Sequence, residues 1–244
     1  MNRATWCLAI ATYKRHAVLE QCVARALAQS RPPDEVVVAD ASPDWEEGAA
    51  RIEALCKEAS VACRYVKADL PSLTIQRNQT IDLATSDILF MIDDDAMLFA
   101  DSAERVLEVY EADVGARIAG VMLGTSERHP PPLDGRPAAD TVDPIEIKAS
   151  GRRRWSSDSA IGRMIYRELL LMTRERVFVP YKGSYPDHPM PDEVRGLGCF
   201  PVRLFKGYAM TYRRSVIAKV RFSSLLRGYC PAEDLDASYR ASAY

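Results

Sequence analysis

Short apolar runs recur along the first half of the chain, each followed by a segment of helical spacing, and this alternation limits the fold more than any other feature. The runs cover residues 6–11, 35–39 with Val36-Val37-Val38, 64–67, 88–92 with Ile88-Leu89-Phe90-Met91-Ile92, and 118–123. Runs this short, bounded by turn residues, read as buried strands. Between them, Val18, Leu19, Val23, Ala26 and Leu27 fall at helical spacing, as do Ala50, Ile52, Leu55 and Cys56, and Val106, Leu107 and Val109. That spacing predicts helices over 16–29, 44–60 and 101–113. A further helix is predicted over 71–84, with Ser72 as its N-cap. Pro32-Pro33 closes the first helix, because proline cannot donate to a helix and restricts its neighbour. Strands alternating with helices of this length imply an α/β fold whose sheet is mostly parallel and doubly wound.

The middle of the chain breaks this rhythm. Residues 127–144 carry Pro130-Pro131-Pro132 and Pro137, and residues 180–191 are again proline-rich, so both read as loops. Between them lie Arg152-Arg153-Arg154-Trp155 and an apolar stretch of helical spacing over 161–173. Residues 124–198 are read as an insertion within a single domain spanning 1–244. A formal net charge of -2 gives no general argument for a nucleic-acid partner. The apolar run after Trp6 is too short to span a bilayer and lacks a cleavage site, and no other run is long enough, so a cytoplasmic protein is expected. Six cysteines without a Cys-x-x-Cys pair (Cys7, Cys22, Cys56, Cys63, Cys199, Cys230) are expected to be reduced and structural. The basic stretch at Arg152 beside an apolar helix is compatible with peripheral contact at the inner face of a membrane; an ordinary basic loop beside a packed helix is the simpler reading.

Asp93-Asp94-Asp95 directly follows the run 88–92. Ligands of open parallel sheets bind at the carboxyl ends of strands. Adjacent aspartates repel unless a cation offsets the charge. Mg²⁺ and Mn²⁺ take carboxylate oxygens and keep waters while bridging phosphates. Taken alone, the cluster serves equally well as a metal–diphosphate site or as a solvated acidic turn capping the next helix. Thr12-Tyr13-Lys14-Arg15 and Asp40-Ala41-Ser42 end two further runs. A lone Asp40 would read as a helix cap, but three polar strand ends facing one crevice favour a site.

Ala11-Thr12-Tyr13-Lys14-Arg15, Asp40-Ala41-Ser42, Gln76-Arg77-Asn78, Asp93-Asp94-Asp95, Gly207-Tyr208-Ala209-Met210-Thr211-Tyr212-Arg213-Arg214 and Glu233-Asp234-Leu235-Asp236 with Arg240 occur in an order that resembles glycosyltransferase family 2. The resemblance runs from Cys7 to Arg240 and is weakest between Gly124 and Gly198. It implies the GT-A fold, a Rossmann-like, mostly parallel sheet flanked by helices, with an acceptor-side insertion. Residues 1–123 would form the nucleotide-sugar-binding half and 124–244 the acceptor-binding half. The implied activity is inverting transfer of a sugar from a nucleotide-sugar donor, UDP-linked, to a hydroxyl of a carbohydrate or lipid-linked acceptor.

The resemblance also implies roles. Ala11, Thr12, Tyr13, Arg15 and Asp40 would line the nucleotide pocket, with Asp40 accepting from a uracil-like N–H. Arg77 would lie against the nucleotide, Asp93 on the ribose and metal side, and Asp94 between them. Asp95 would hold Mn²⁺ or Mg²⁺. Glu233-Asp234 would be the acceptor-side acidic pair, with Asp234 as general base, and Gly207, Tyr208, Met210 and Arg240 would meet the acceptor. A helix N-terminus also explains Glu233-Asp234, since acids favour that end of the dipole, and the two readings are compatible. Arg213-Arg214 otherwise reads as an exposed strand end or helix start. His129 and His188 read as surface histidines, with metal ligation as the alternative. In the family a later histidine completes the metal shell; none follows His188, so the metal is expected on Asp95, phosphates and water, or the chain to continue past Tyr244.

Two other classes compete. A non-catalytic nucleotide-sugar-binding or scaffold protein would keep the fold without turnover. A nucleotidyltransferase would place a glycine-rich phosphate loop after the first strand, and Ala11-Thr12-Tyr13-Lys14-Arg15 is not one. The sequence carries no signal of oligomeric state.

Overall fold

The computed structural model describes residues 3–126, 128–133, 188–202, 204–228 and 232–244. The chain divides into two compact units, residues 1–130 with 186–244, and residues 131–185. Arg152-Arg153-Arg154-Trp155, the apolar stretch 161–173 and most of the expected insertion lie outside the described residues. Among the described residues no helix is long and apolar enough to cross a membrane.

The first unit runs β1 (Trp6–Thr12), α1 (His16–Leu27), β2 (Glu35–Asp40), α2 (Trp45–Glu58), β3 (Ala62–Lys67), α3 (Leu73–Leu83), β4 (Ile88–Ile92), α4 (Ser102–Ala112) and β5 (Gly120–Met122). After a short 3₁₀ turn over Asp192–Leu197 come β6 (Ala209–Arg213), α5 (Arg214–Val220) and α6 (Glu233–Ala241). The six strands form one sheet in the order β3-β2-β1-β4-β6-β5. β1 pairs in parallel with β2 and β4, and β2 with β3, while β6 runs antiparallel to both β4 and β5.

Side chains alternate across a strand, so each apolar run supplies two cores. Leu8, Ile10, Val36, Val38, Phe90 and Ile92 face α1, α2 and α4, where Leu19, Val23, Ile52 and Leu107 meet them. Cys7, Ala9, Val37, Leu89 and Met91 face α3, α5 and α6, represented by Ile81, Ile217 and Ala237. Each fully buried Leu, Ile or Phe contributes about 1.5–3 kcal/mol relative to exposure. At the opposite end of the sheet from the site, Glu35 is 3% exposed. It accepts from Ser86 N (2.6 Å), Ser86 Oγ (2.7 Å), Thr85 N (2.7 Å) and Arg64 Nη1 (2.5 Å). Burial pushes its pKa up, but the bonds from Ser86 and Thr85 outweigh this and hold it below the usual value.

Three features depart from the expectations. Residues 209–213 form a strand between β4 and β5, where the sequence pattern gave only an acceptor-side segment. Thr211 hides this strand: it is fully buried, and its polarity is satisfied by Val121 O (2.7 Å) and Tyr110 Oη (2.9 Å). Arg213 is not an exposed strand end, because its guanidinium is drawn inward to Asp113 Oδ2 (3.0 Å) and the Ile118 carbonyl (3.0 Å). Ser72 occupies the N-cap position of α3 without a side-chain cap bond; its Oγ accepts instead from Gly228 N at 3.1 Å.

Candidate functional site

The carboxyl ends of β1 and β4 meet directly. Thr12 ends β1 and is buried, and its Oγ1 donates to Asp94 Oδ2 at 2.6 Å. Gln76 fixes the neighbouring strand ends, its Nε2 donating to the carbonyls of Thr12 (2.8 Å) and Ala39 (2.9 Å). Ala11 lies within β1 in register with Ala39. Just beyond, Lys14 takes a left-handed conformation (φ 55°) and donates its N–H to Ser42 Oγ at 2.7 Å. Such strain in a non-glycine residue persists only where its surroundings impose it. Tyr13 is exposed at this turn, with Lys14 Nζ 5.0 Å from its ring centre.

The three aspartates do not point the same way. Asp94 turns inward to Thr12 and to Arg15 Nη1 (3.0 Å), and its side chain is 5% exposed. Asp95 is half-exposed and pairs with Arg15 Nη2 at 2.5 Å. Asp93, 42% exposed at its side chain, receives Arg77 Nη2 at 3.2 Å. Burial first, and the neighbouring carboxylates second, raise the pKa of Asp93 and Asp94, while Arg77, Thr12 and Arg15 pull them back. The hydrogen bond to Asp95 raises the pKa of Arg15.

Asp40 ends β2 with no exposed surface. Its Oδ2 accepts from Tyr65 Oη (2.6 Å) and lies 2.9 Å from His16 Nε2. Its Oδ1 accepts from Ser42 N (2.7 Å) and from Ser42 Oγ. Four partners fill the acceptor capacity of a carboxylate, so a base N–H reaches Asp40 only by displacing one of them. Gly48, in the first turn of α2, makes room for this cluster: a Cβ there would stand 2.4 Å from Tyr65 Oη and 2.8 Å from His16 Cδ2. The sequence pattern did not single out His16, Tyr65 or Gly48. His16 reads as a helix start and Tyr65 as part of a short strand, and nothing local marks their contact with Asp40.

The acceptor-side residues converge on Arg77, which is 4% exposed. Its Nη1 donates to Glu233 Oε1 (2.7 Å) and its Nη2 to the Gly207 carbonyl (3.0 Å), and the guanidinium lies 5.2 Å from the Phe222 ring centre. Arg77 thus has protein partners on both terminal nitrogens, beside the place expected for a nucleotide. Gly207 N donates to Asp234 Oδ2 at 2.7 Å, and Asp234 Oδ1 accepts from Leu235 N at 2.8 Å. Glu233 is buried and Asp234 half-buried at the start of α6, after Ala232 in a left-handed conformation (φ 79°). The helix-start reading of this pair is met, since Glu233 and Asp234 open α6. Tyr208 is half-buried beside Lys206.

Two expected acceptor residues are not brought to the site. Met210 is fully buried, because strand alternation turns it into the core among Leu89, Met91 and Ile217. Arg240 is on the far part of α6, where it pairs with Asp236 (2.6 Å) and donates to the carbonyls of Val220 and of Arg221 (2.7 Å), closing the C-terminal end of α5. His188 contacts the Ser242 carbonyl at 2.8 Å, and His129 is exposed.

Among the described residues no three His, Cys, Asp or Glu side chains converge to hold a metal ion. The donor set nonetheless suits Mg²⁺ or Mn²⁺, which commonly bind through one or two carboxylates completed by phosphate oxygens and water. Asp95 and Asp93 are the exposed carboxylates of the cluster, and Asp94 is committed inward.

A family model described as glycosyl transferase family 2 matches residues 7–171. A comparison with curated protein sequences yields no match. Among solved structures, the mannosyltransferase PcManGT from Pyrobaculum calidifontis, in complex with GDP-Man and Mn²⁺, is similar at TM-score 0.55 and 14% identity, over 98% of this chain and 51% of that one. S. aureus TarS is similar at TM-score 0.52 and 12% identity, over 96% of this chain and 33% of that one. A structure of TarS 1-349 in complex with UDP is similar at TM-score 0.51 and 12% identity, over 96% and 55% respectively. These likenesses show a shared fold, and the chain spans between a third and about a half of the length of those proteins.

Proposed function

Since the chain belongs to glycosyl transferase family 2, we propose that it transfers a sugar from a nucleotide-sugar donor, UDP-linked, to a hydroxyl acceptor with inversion. The observation that carries this is the meeting of two carboxylate sets at one end of the sheet. Asp93-Asp94-Asp95 follows β4, Glu233-Asp234 opens α6, and Arg77 contacts both Asp93 and Glu233. The complexes of PcManGT with GDP-Man and Mn²⁺, and of TarS with UDP, support a nucleoside diphosphate in this fold.

In this reading Asp234 takes the proton of the acceptor hydroxyl. Among the described residues each of its oxygens accepts one backbone N–H, which leaves a lone pair for a hydroxyl, and its partly exposed position opens it to solvent. The hydroxyl oxygen bonds to the anomeric carbon as the carbon–oxygen bond to the diphosphate breaks, and the electron pair leaves with the diphosphate. Glu233, buried on Arg77, holds the helix start in place. Asp95 with Asp93 would hold Mn²⁺ or Mg²⁺, which would neutralise charge on the departing diphosphate. Arg15, with its side chain 46% exposed, would reach the same phosphates. Tyr13 and Thr12 would line the nucleotide.

Calorimetry with UDP and Mn²⁺ tests the donor side. Asp95→Ala is expected to lose the metal-dependent part of the affinity; unchanged affinity would remove the metal assignment. Asp234→Asn is expected to keep donor binding and lose turnover, whereas equal loss of both would make Asp234 structural. A lipid-linked acceptor would draw on Arg152-Arg153-Arg154-Trp155, and failure to co-sediment with anionic vesicles would exclude membrane contact.

A further inference from the structure

The geometry points to Arg77 as a positioning residue for the acceptor-side base, aiming Asp234 through Gly207 and Glu233; this rests on the assignment of Asp234 proposed above. Three segments distant in sequence close around one guanidinium. Its two terminal nitrogens are divided, Nη1 on Glu233 Oε1 at 2.7 Å and Nη2 on the Gly207 carbonyl at 3.0 Å and on Asp93 Oδ1 at 3.2 Å. The peptide on the other side of the Gly207 Cα donates its N–H to Asp234 Oδ2 at 2.7 Å. Arg77 therefore grips the acidic pair twice, directly at Glu233 and through the Gly207 backbone at Asp234.

Position 207 packs closely against the side chains of Arg77, Glu233 and Asp234. A Cβ there would stand 3.3 Å from both Arg77 Nη2 and Glu233 Oε1, and 3.5 Å from Asp234 Oδ2. The start of α6 needs such holding. Ala232 enters the helix with φ 79°, and its side chain makes no cap bond. Backbone in that region costs on the order of 1–3 kcal/mol and persists only where neighbours impose it. The contact with Asp93 also sets the acceptor-side base in fixed relation to the donor-side carboxylates. A base must lie within hydrogen-bond reach of the hydroxyl it deprotonates, and supporting residues that lock its geometry govern that reach.

Arg77→Lys separates this role from simple charge balance. Lysine keeps a cation beside Glu233 but lacks the planar fork that serves Glu233 and Gly207 together. The amide of Gly207 reports the position of Asp234 directly. Labelling with ¹⁵N-glycine gives at most twelve amide resonances, and Gly207→Ala identifies the one from Gly207. That resonance is expected to move upfield in Asp234→Asn, as a charged acceptor becomes neutral, and to move in the same direction in Arg77→Lys. Hydrolysis of UDP-glucose is expected to fall in kcat by about tenfold to a hundredfold in Arg77→Lys, the scale of an ångström-sized misplacement, with KM for the nucleotide sugar changing by a smaller factor. A Gly207 resonance unmoved in folded Arg77→Lys would overturn the proposal, as would a fall in KM-dependent affinity with kcat unchanged. Should Arg77→Lys not fold, Glu233→Gln, which loosens the same grip from the other partner, is read by the same resonance with the same two outcomes. Asp234→Asn with unchanged turnover and a shifted Gly207 resonance would instead overturn the base assignment itself.

Discussion

Replacing Arg77 by Met tests whether the centre of the site is a buried ion pair. Arg77 is 4% exposed and Glu233 7%, and they are joined at 2.7 Å. Removing the cation leaves a buried carboxylate without its partner, which costs about 3–5 kcal/mol. The contact with Asp93 adds little, because that side chain is 42% exposed and water screens exposed pairs to about 0–1 kcal/mol. The loss is thus dominated by Glu233. For a chain of this size about 1 kcal/mol shifts Tm by about 2–4 °C, so Arg77→Met is expected to lower it by about 6–20 °C. Glu233→Met alone is expected to cost a similar amount, since it strands the guanidinium. The double variant replaces a buried pair by apolar groups of similar volume, an exchange that is often neutral. With each single variant costing about 3–5 kcal/mol and the double about 0, denaturant melts of the four proteins are expected to show a coupling energy of about 6–10 kcal/mol, beyond the usual range for contacting residues. Additivity within about 0.5 kcal/mol would show that the two charges do not depend on each other, and would refute the reasoning.

Gly48→Ala is expected to destabilise, although alanine ordinarily gains about 1 kcal/mol over glycine in a helix. Overpacking against Tyr65 and His16 costs about 1–3 kcal/mol, and a raised Tm would show that the Asp40 cluster yields freely. Glu35→Gln is expected to cost about 1.5–3 kcal/mol at neutral pH, the worth of hydrogen bonds to a charged group. Because the folded pKa of Glu35 is depressed, its contribution is present above the unfolded value and is lost as pH falls through the folded one. The difference between the two proteins in acid melts is therefore expected to shrink below about pH 4, and a constant difference would contradict the sign. Arg15→Ala is expected to tighten Mn²⁺ binding severalfold and weaken UDP binding, read by calorimetry; weaker binding of the free cation would show that Arg15 does not compete for Asp95.

The parallel core was legible because β1, β2 and β4 are continuous apolar runs ending in polar residues. β6 was not, because a buried threonine and an inward arginine made Ala209–Arg213 look like surface. The strand-end carboxylates were legible for the same reason as the strands: position at a carboxyl end follows from the run before it. Their partners were not, since Arg77 meets Gly207 and Glu233 across 130 and 156 residues. Family-like motifs also carried residues along by adjacency alone. Met210 neighbours Gly207 and Tyr208 in sequence, but alternation sends it into the core. Arg240 follows Glu233 by two helical turns, but it turns toward the end of α5 and away from Asp234.

The charges at the site explain why three adjacent aspartates are tolerated in the protein itself. Arg15, just before α1, pairs with Asp94 and Asp95, and Arg77, from α3, pairs with Asp93 and Glu233. Two guanidinium groups thus serve four of the site's five carboxylates, and those four stay short of cations by two. A lone divalent cation would supply that deficit but would have to displace Arg15 from Asp95. In the proposed reading, a nucleoside diphosphate arriving with the cation would remove the conflict, because its phosphates would offer Arg15 a new anionic partner while the cation took Asp95. Arg77 has no such exchange open to it, being buried and shared with Glu233 and the Gly207 carbonyl. On the proposed reading the two arginines would divide the work by exposure: the exposed Arg15 would be free to follow a ligand, and the buried Arg77 would keep hold of Glu233 and the Gly207 carbonyl.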